Sequence, residues 1–121
     1  LLDAEGIGSI VFSPLAQGLL TNRYLDGVPS DSRAGGDGRY LNAGHITDER
    51  VARVRALAPI AEARGQSIAE LAISWVLRGS RVTSALVGAS SVKQLLDTVA
   101  AGQAPDLTAE EISAVEAALS N

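Results

Sequence analysis

The sequence predicts an α/β fold, in which parallel strands alternate with helices. Two short apolar runs, residues 9–13 and 83–87, contain β-branched side chains and end at proline or glycine, which is typical of buried strands. The stretches between and after them repeat apolar residues at helical spacing. Because strands separated by helices cannot form tight hairpins, we expect these two strands to pair in parallel through right-handed crossovers.

The first part of the chain contains one strand and a long irregular segment. Residues 1–5 are expected to be the end of a helix that is capped at Gly6. The strand at residues 9–13 follows, and Pro14 prevents its ladder from continuing. From residue 16 to residue 46, glycine and proline interrupt any periodicity. A connection of this length is uncommon in a compact domain unless it is a functional loop or a lid.

Four helices are expected in the rest of the chain, each with a recognisable start. Thr47 is a suitable N-cap for a helix that runs to about Arg64. The helix at residues 68–77 is apolar nearly all round, so we expect it to be buried, with Trp75 in the core. The last three helices begin at capping boxes, in which serine or threonine is followed three residues later by glutamate or glutamine: Ser67 and Glu70, Ser91 and Gln94, Thr108 and Glu111.

The composition argues against several classes of function. With a net charge of −4, the chain lacks the clustered basic residues that nucleic-acid binding requires. It has no cysteine, which excludes a disulfide framework and is compatible with a cytoplasmic location. No apolar run approaches the roughly 20 residues of a membrane span. His45 is the single histidine, so no histidine-based metal cluster is expected.

Two strands are too few for a stable parallel sheet, because both edges would leave backbone groups unpaired. We therefore expect either further strands before Leu1 or assembly with other chains through the exposed edges. A (β/α)8 barrel has eight strands in about 250 residues, so residues 1–121 would form one partial domain, the last quarter of a barrel with extra helices. The start at Leu1 indicates a piece of a longer protein, with a processed small protein as the alternative.

Two segments that follow the strands are candidates for a binding site. In (β/α)8 barrels, the loops after the last two strands commonly bind phosphate together with a helix N-terminus. The segment from Gly88 to Gln94 has that form, and Lys93 within it could add a positive charge, although an ordinary capping box explains the same residues. The apolar loop that begins at Ser13 suggests a cover over a planar group, or simply a loop packed on the barrel rim.

Four motifs, in this order and spacing, resemble the aldo-keto reductase superfamily. Within it they are most similar to the bacterial branch related to potassium-channel β-subunits, which includes glyceraldehyde 3-phosphate reductases. The motifs are Phe-Ser-Pro-Leu-Ala-Gln-Gly-Leu-Leu-Thr-x-Arg-Tyr-Leu from Phe12, Gly-x-Pro-x-Asp-Ser-Arg from Gly27, Ser-x-Ala-Glu-Leu-Ala-Ile-Ser-Trp-Val-Leu from Ser67, and Val-Thr-Ser-x-Leu-Val-Gly-Ala-Ser-x-x-x-Gln-Leu from Val82.

The resemblance implies the C-terminal part of a (β/α)8 barrel that holds NADPH across one face, with residues 16–46 as a cofactor-covering loop. Phe12 would stack on the nicotinamide ring. The pyrophosphate side would be contacted by the loop residues and a basic residue, namely Ser13, Pro14, Leu15, Gln17, Gly18 and Arg23. Arg33 would lie on the adenosine side. The adenosine 2′-phosphate would be bound by Gly88, Ser90 and Gln94, with Asp97 beside the adenine.

Two departures from the family pattern qualify this expectation. The last motif usually ends in Glu-Asn, whereas here it ends in Asp97 and Thr98, which puts one adenine contact in doubt. The catalytic Asp, Tyr, Lys and His of the family lie on earlier strands, and Lys93, His45, Tyr24 and Tyr40 do not substitute for them. The intact parent is thus expected to reduce aldehydes or ketones with NADPH, and the isolated chain to be inactive.

Two other functions remain open from the sequence. One is a non-catalytic, nucleotide-sensing or regulatory module on the same scaffold, as the channel β-subunits exemplify. The other is an unrelated small helical protein that assembles through its two strands. Carbonyl turnover by the complete protein would separate the enzyme from the regulatory module, and indifference to NADPH would indicate the unrelated assembly.

Overall fold

The computed structural model describes residues 1–22, 25, 44 and 46–120, with the backbone alone at Ser80. Two strands, β1 and β2, and five α-helices, α1 to α5, form its regular elements. In chain order they are β1 Ile10–Phe12, α1 Asp48–Ala56, α2 Ala58–Ala63, α3 Ile68–Leu77, β2 Ser84–Leu86, α4 Val92–Gly102 and α5 Ala109–Ser120. Short 3-10 helices add Asp3–Glu5, Ala16–Gly18 and Arg78–Ser80.

The two strands pair in parallel, as the sequence predicts. Ile10 lies opposite Ser84, and Phe12 lies opposite Leu86. Hydrogen bonds before the ladder fix this register, since Thr83 Oγ1 accepts from the Ser9 N–H at 2.9 Å and the Thr83 N–H donates to the Ser9 carbonyl at 3.0 Å. α3 packs against both β2 and α4, so it covers one face of the pair.

The prediction that both strands are buried is wrong for this chain. Ile10 is 75% exposed and Leu86 is 65% exposed, while the central residues Val11 and Ala85 are half-buried. The physical reason is that helices cover only one face of the two-stranded sheet, so side chains that point to the other face remain open to solvent. The strands therefore carry more apolar side chains than the described helices cover.

The single helix predicted from Thr47 to Arg64 is in fact two helices. Thr47 does cap α1, since its Oγ1 accepts from the Arg50 N–H at 3.3 Å. The hydrogen-bond ladder breaks at Leu57, just before Pro59. Proline has no N–H to donate to the carbonyl four residues earlier, and its ring clashes with that carbonyl. Proline is tolerated in the first turn of a helix, so α2 begins anew at Ala58.

The other helix starts follow the predicted caps, with one difference. Ser67 and Glu70 form a reciprocal capping box at α3, and Thr108 and Glu111 form another at α5. At α4, Ser91 Oγ accepts from the Gln94 N–H at 3.2 Å, but the Gln94 side chain turns to Ser90 instead of closing the box. At the start of the chain, the predicted helix end is a 3-10 turn with Gly6 in the left-handed cap position.

The hydrophobic core lies among the helices and away from the strands. It comprises Val54, Leu57, Ala61, Ile68, Leu71, Leu107 and Val115. Trp75, predicted to lie in the core, is half-buried at its edge, where the Arg78 guanidinium stacks 3.6 Å from the ring centroid. No helix within the described ranges has the length and apolarity needed to cross a bilayer.

Candidate functional site

The segments that follow the two strands leave the same end of the parallel pair and line a shared cleft. This cleft has a volume of about 1130 Å³. The cleft lies at the carboxyl ends of the strands, the position at which (β/α)8 barrels carry their sites. Its lining consists of Phe12, Ser13, Pro14, Leu15, Gln17, Gly18, Thr21, Asn22, Ser67, Ala69, Glu70, Ile73, Leu86, Val87, Gly88, Ala89, Ser90, Gln94, Asp97 and Thr98.

The first wall of the cleft is the turn that follows β1. Three of its residues that are not glycine have left-handed backbones: Ser13 with φ 55°, Ala16 with φ 47° and Gln17 with φ 62°. The turn is closed by a hydrogen bond from the Ala16 N–H to the Ser13 carbonyl at 3.0 Å, and Gln17 Nε2 donates to Ser13 Oγ at 3.1 Å. Left-handed residues other than glycine are unfavourable and concentrate at functional sites.

The second wall is the segment between β2 and α4. The Ser90 N–H and Oγ–H both donate to Gln94 Oε1, each at 2.9 Å. Because a backbone N–H can only donate, the facing atom of the Gln94 amide must be its oxygen. A Cβ built on Gly88 would meet no protein atom within 4 Å, so the backbone there is open to close approach from the cleft.

A third wall comes from the start of α3, which the sequence analysis did not assign to the site. Ser67, Ala69, Glu70 and Ile73 line the cleft beside α4. In the sequence, Ser67 and Glu70 belong to a capping box and to the third motif, and neither pattern places them at the site. The available signal was topological: a helix that connects parallel strands runs antiparallel to them, so its N-terminus lies at the carboxyl edge of the sheet.

Two carboxylates lie along this α3–α4 wall. Glu70 accepts from the Ser67 N–H at 2.7 Å, and Asp97 accepts from Lys93 Nζ at 2.7 Å. The pKa of Lys93 is raised by its hydrogen bond to Asp97 and by the charges of Asp97 and Glu70. The Lys93 side chain is 83% exposed and is not part of the lining. Its charge is thus directed at Asp97 from outside and does not project into the cleft.

The structure brings together ten of the twelve residues that the resemblance assigns to the site. Phe12, Ser13, Pro14, Leu15, Gln17, Gly18, Gly88, Ser90, Gln94 and Asp97 all line the cleft. The other two, Arg23 and Arg33, lie outside the described residues, as do Tyr24, Tyr40 and His45. Among the residues that the structure describes, no group of acidic or histidine side chains is placed to hold a metal ion.

Comparison with known proteins assigns the fold to a family. The sequence profile of the aldo/keto reductase family matches residues 1–120. The chain belongs to the aldo/keto reductase family. This agrees with the order of its four motifs and with a cleft at the carboxyl ends of parallel strands.

Relatives of this family member extend the same assignment. L-glyceraldehyde 3-phosphate reductase from Escherichia coli O157:H7 is 43% identical over 118 residues, which cover 95% of this chain and 34% of the relative. The protein of the same name from strain K12 is 42% identical over 118 residues, with the same coverage. The chain therefore spans about a third of the length of the curated relatives that it matches.

A solved structure supports a partial (β/α)8 fold. The glycerol dehydrogenase of Gluconobacter oxydans superimposes with a TM-score of 0.74 and 25% sequence identity, over 98% of this chain and 36% of that one. The helix-rich chain with two parallel strands is consistent with a part of such a barrel.

Proposed function

We propose that this chain is the NADPH-binding part of an oxidoreductase that reduces aldehydes or ketones to alcohols. The observation that carries the proposal is the shared cleft, in which the turn after β1 and the segment after β2 face each other. Family membership supplies the reaction class, since the chain and its curated relatives belong to the reductases. The chain corresponds to the C-terminal part of the barrel, with the cofactor lying across its rim.

The residues present fit a dinucleotide. Ser13 Oγ on one wall can donate to a phosphate oxygen, and the Ser90 N–H and Oγ–H on the other wall can do so once they are released from Gln94 Oε1. The N-terminus of α4 favours a negative charge. Phe12 is 80% exposed at the cleft, which suits a ring that a planar nicotinamide would cover. The open space at Gly88 permits a ligand to approach the backbone closely. When bound, the nicotinamide supplies the hydride.

The role of the chain in this function is to bind and orient the cofactor. Phe12 would hold the nicotinamide end, and the Ser90–Gln94 segment would hold the 2′-phosphate end. Asp97 would lie beside the adenine. Carbonyl reduction also needs a proton donor aimed at the substrate oxygen. The family's proton donor lies on a preceding strand, so we infer that the rest of the barrel completes the active site and binds the carbonyl substrate.

The test is a fluorescence titration of the 121-residue chain with NADPH, with its mass followed by size-exclusion chromatography. We expect saturable but weak binding, because the barrel that would pre-organise the two loops is incomplete. Competition between NADP⁺ and NADPH for the same site is expected, since both carry the groups that the walls bind. A chain that shows no saturable signal with either nucleotide would overturn the proposal.

The matched variants are Gly88→Leu and Gly102→Leu. Gly88 lines the cleft, so a leucine there fills space that the cofactor needs and is expected to abolish binding. Gly102 lies at the end of α4, and a Cβ built on it also meets no protein atom within 4 Å. Equal binding by both variants would show that the nucleotide binds elsewhere than in the cleft.

A further inference from the structure

The described lining of the cleft carries negative charge but no positive charge. Glu70 and Asp97 are its only ionisable side chains among the residues that the structure describes, and both are acidic. They lie on α3 and α4, which pack against each other, so the two carboxylates share one wall. Such a wall repels the phosphates of a dinucleotide unless its charge is compensated.

Lys93 supplies compensation from behind this wall. It is the single lysine of the sequence, and it lies one turn before Asp97 on α4. Its ammonium group pairs with Asp97 at 2.7 Å, and it also interacts electrostatically with Glu70. Because both side chains are exposed, an i,i+4 pair of this kind contributes little to helix stability. The same ion pair also reduces the negative charge that a ligand beside Asp97 would meet, and this effect does not depend on how much the pair stabilises the helix.

We propose that Lys93 is a specificity-determining residue, which by pairing with Asp97 allows the α3–α4 wall to accept the 2′-phosphate of NADPH. The inference rests on the proposed function, in which Ser90 and Gln94 hold that phosphate. Gln94 and Asp97 are three residues apart on α4 and both line the cleft, so the Asp97 carboxylate lies on the helix face that would carry the phosphate. Without Lys93, the unpaired carboxylate would oppose the 2′-phosphate.

NADH lacks the 2′-phosphate and otherwise presents the same groups. The ratio of the NADH dissociation constant to the NADPH dissociation constant therefore isolates the effect of Lys93 on binding of the 2′-phosphate. A change in adenine or pyrophosphate contacts alters both dissociation constants equally and leaves the ratio unchanged. Replacing Lys93 by glutamine is expected to lower this ratio about three- to tenfold, the effect of one unit charge several Å from a screened phosphate. Lys93→Arg keeps the charge and is expected to keep most of the ratio.

The experiment measures both dissociation constants for the wild-type chain, Lys93→Gln, Lys93→Arg and the double variant K93Q/D97N. The double variant removes both charges, so its ratio is expected to recover toward the wild-type value. Arg53→Gln is the matched control, because Arg53 forms an i,i+4 ion pair with Glu49 at 2.7 Å on α1, outside the described lining. It removes the same charge and is expected to leave the ratio unchanged.

The outcomes separate this inference from the function on which it rests. A wild-type chain that binds neither nucleotide overturns both. A wild-type chain that binds NADPH, with an unchanged ratio in Lys93→Gln, overturns the role of Lys93 alone. An equal loss of affinity for both nucleotides would also overturn it, since that result indicates a structural effect on α4. Circular dichroism of each variant shows whether the total helix content of the chain is unchanged.

Discussion

The turn after β1 concentrates unfavourable backbone conformations in a few residues. Ser13, Ala16 and Gln17 all have positive φ, although none of them is glycine, asparagine or aspartate. A left-handed residue with a Cβ costs about 1–2 kcal/mol. Pro14 and Gly18 indicate a turn in the sequence, but no residue type at positions 13, 16 and 17 indicates a positive φ. Its geometry could be learned only from the structure.

Replacing Ala16 by glycine is expected to stabilise the chain by about 0.5–1 kcal/mol, since relief of the left-handed strain exceeds the entropy that glycine adds to the unfolded state. Urea unfolding measures the change. The same substitution at Ala52, an exposed position inside α1, is the control and is expected to destabilise by about 1 kcal/mol. Destabilisation by both variants would mean that the turn is not strained at Ala16.

Arg64 joins the end of α2 to the start of α5. Its side chain is 9% exposed and donates to Gln66 Oε1, Glu111 Oε2 and the Pro105 carbonyl. The pKa of Glu111 is lowered, first by its hydrogen bond from Arg64 and then by the Thr108 N–H. Because the folded pKa lies below the unfolded one, this carboxylate stabilises the fold above its ordinary pKa of 4.5.

The stabilisation from Glu111 is expected to disappear as the pH falls through its folded pKa. Glu111→Gln should therefore be less stable than the wild type at neutral pH, and the difference should shrink in acid. Urea midpoints between about pH 7 and about pH 3 measure this dependence. Glu116→Gln removes the same charge from the exposed face of α5 and is the control. If the difference in stability between Glu111→Gln and the wild type stays constant with pH, the lowered pKa of Glu111 is contradicted.

At the scale of whole elements, the sequence predicts helix starts well because they depend on local chemistry. The N-caps Thr47, Ser67, Ser91 and Thr108 all bond to the backbone three residues later. Two details differ from the prediction: Pro59 divides the helix that was expected to be continuous, and the Gln94 side chain bonds Ser90 instead of completing a box. The predicted strand burial fails because the described helices cover only one face of the two-stranded sheet.

The capping box at α3 gives an element-scale prediction. Ser67→Ala removes the acceptor for the Glu70 N–H and is expected to destabilise the chain by about 1 kcal/mol. Ser113→Ala is the control, because Ser113 is exposed within α5 and alanine is a better helix former, so a gain of a few tenths of a kcal/mol is expected. Thermal or urea unfolding gives both values. Equal effects from the two variants would mean that the cap contributes nothing specific.

At the scale of the whole molecule, the described residues expose several large apolar side chains. The strands contribute Ile10, Phe12 and Leu86, and α4 contributes Val92, Leu95, Leu96 and Val99. Several large exposed apolar side chains, together with the unpaired outer edges of the two described strands, are typical of an interaction surface. The curated relatives are about three times as long as the matched segment, so in a barrel of that length preceding strands and helices could cover this surface.

A chimera tests whether the chain serves as one third of a reductase barrel. In it, the 118 matched residues replace the corresponding third of the Escherichia coli L-glyceraldehyde 3-phosphate reductase. We expect NADPH-dependent reduction of a carbonyl substrate by the chimera, because the proposed function assigns the cofactor walls to this chain and the proton donor to the rest of the barrel. Turnover is measured from the loss of NADPH absorbance.

The 121-residue chain alone and the E. coli protein without its matched third are the controls. Both are expected to show no turnover, because the proposed function assigns only one part of the site to each of them. Turnover by the highly pure chain alone would contradict the assignment of the proton donor to a preceding strand. A chimera that folds and binds NADPH but turns over no carbonyl accepted by the E. coli protein would instead favour a nucleotide-binding module without catalysis. The two results thus separate an enzyme's cofactor site from a sensor built on the same scaffold.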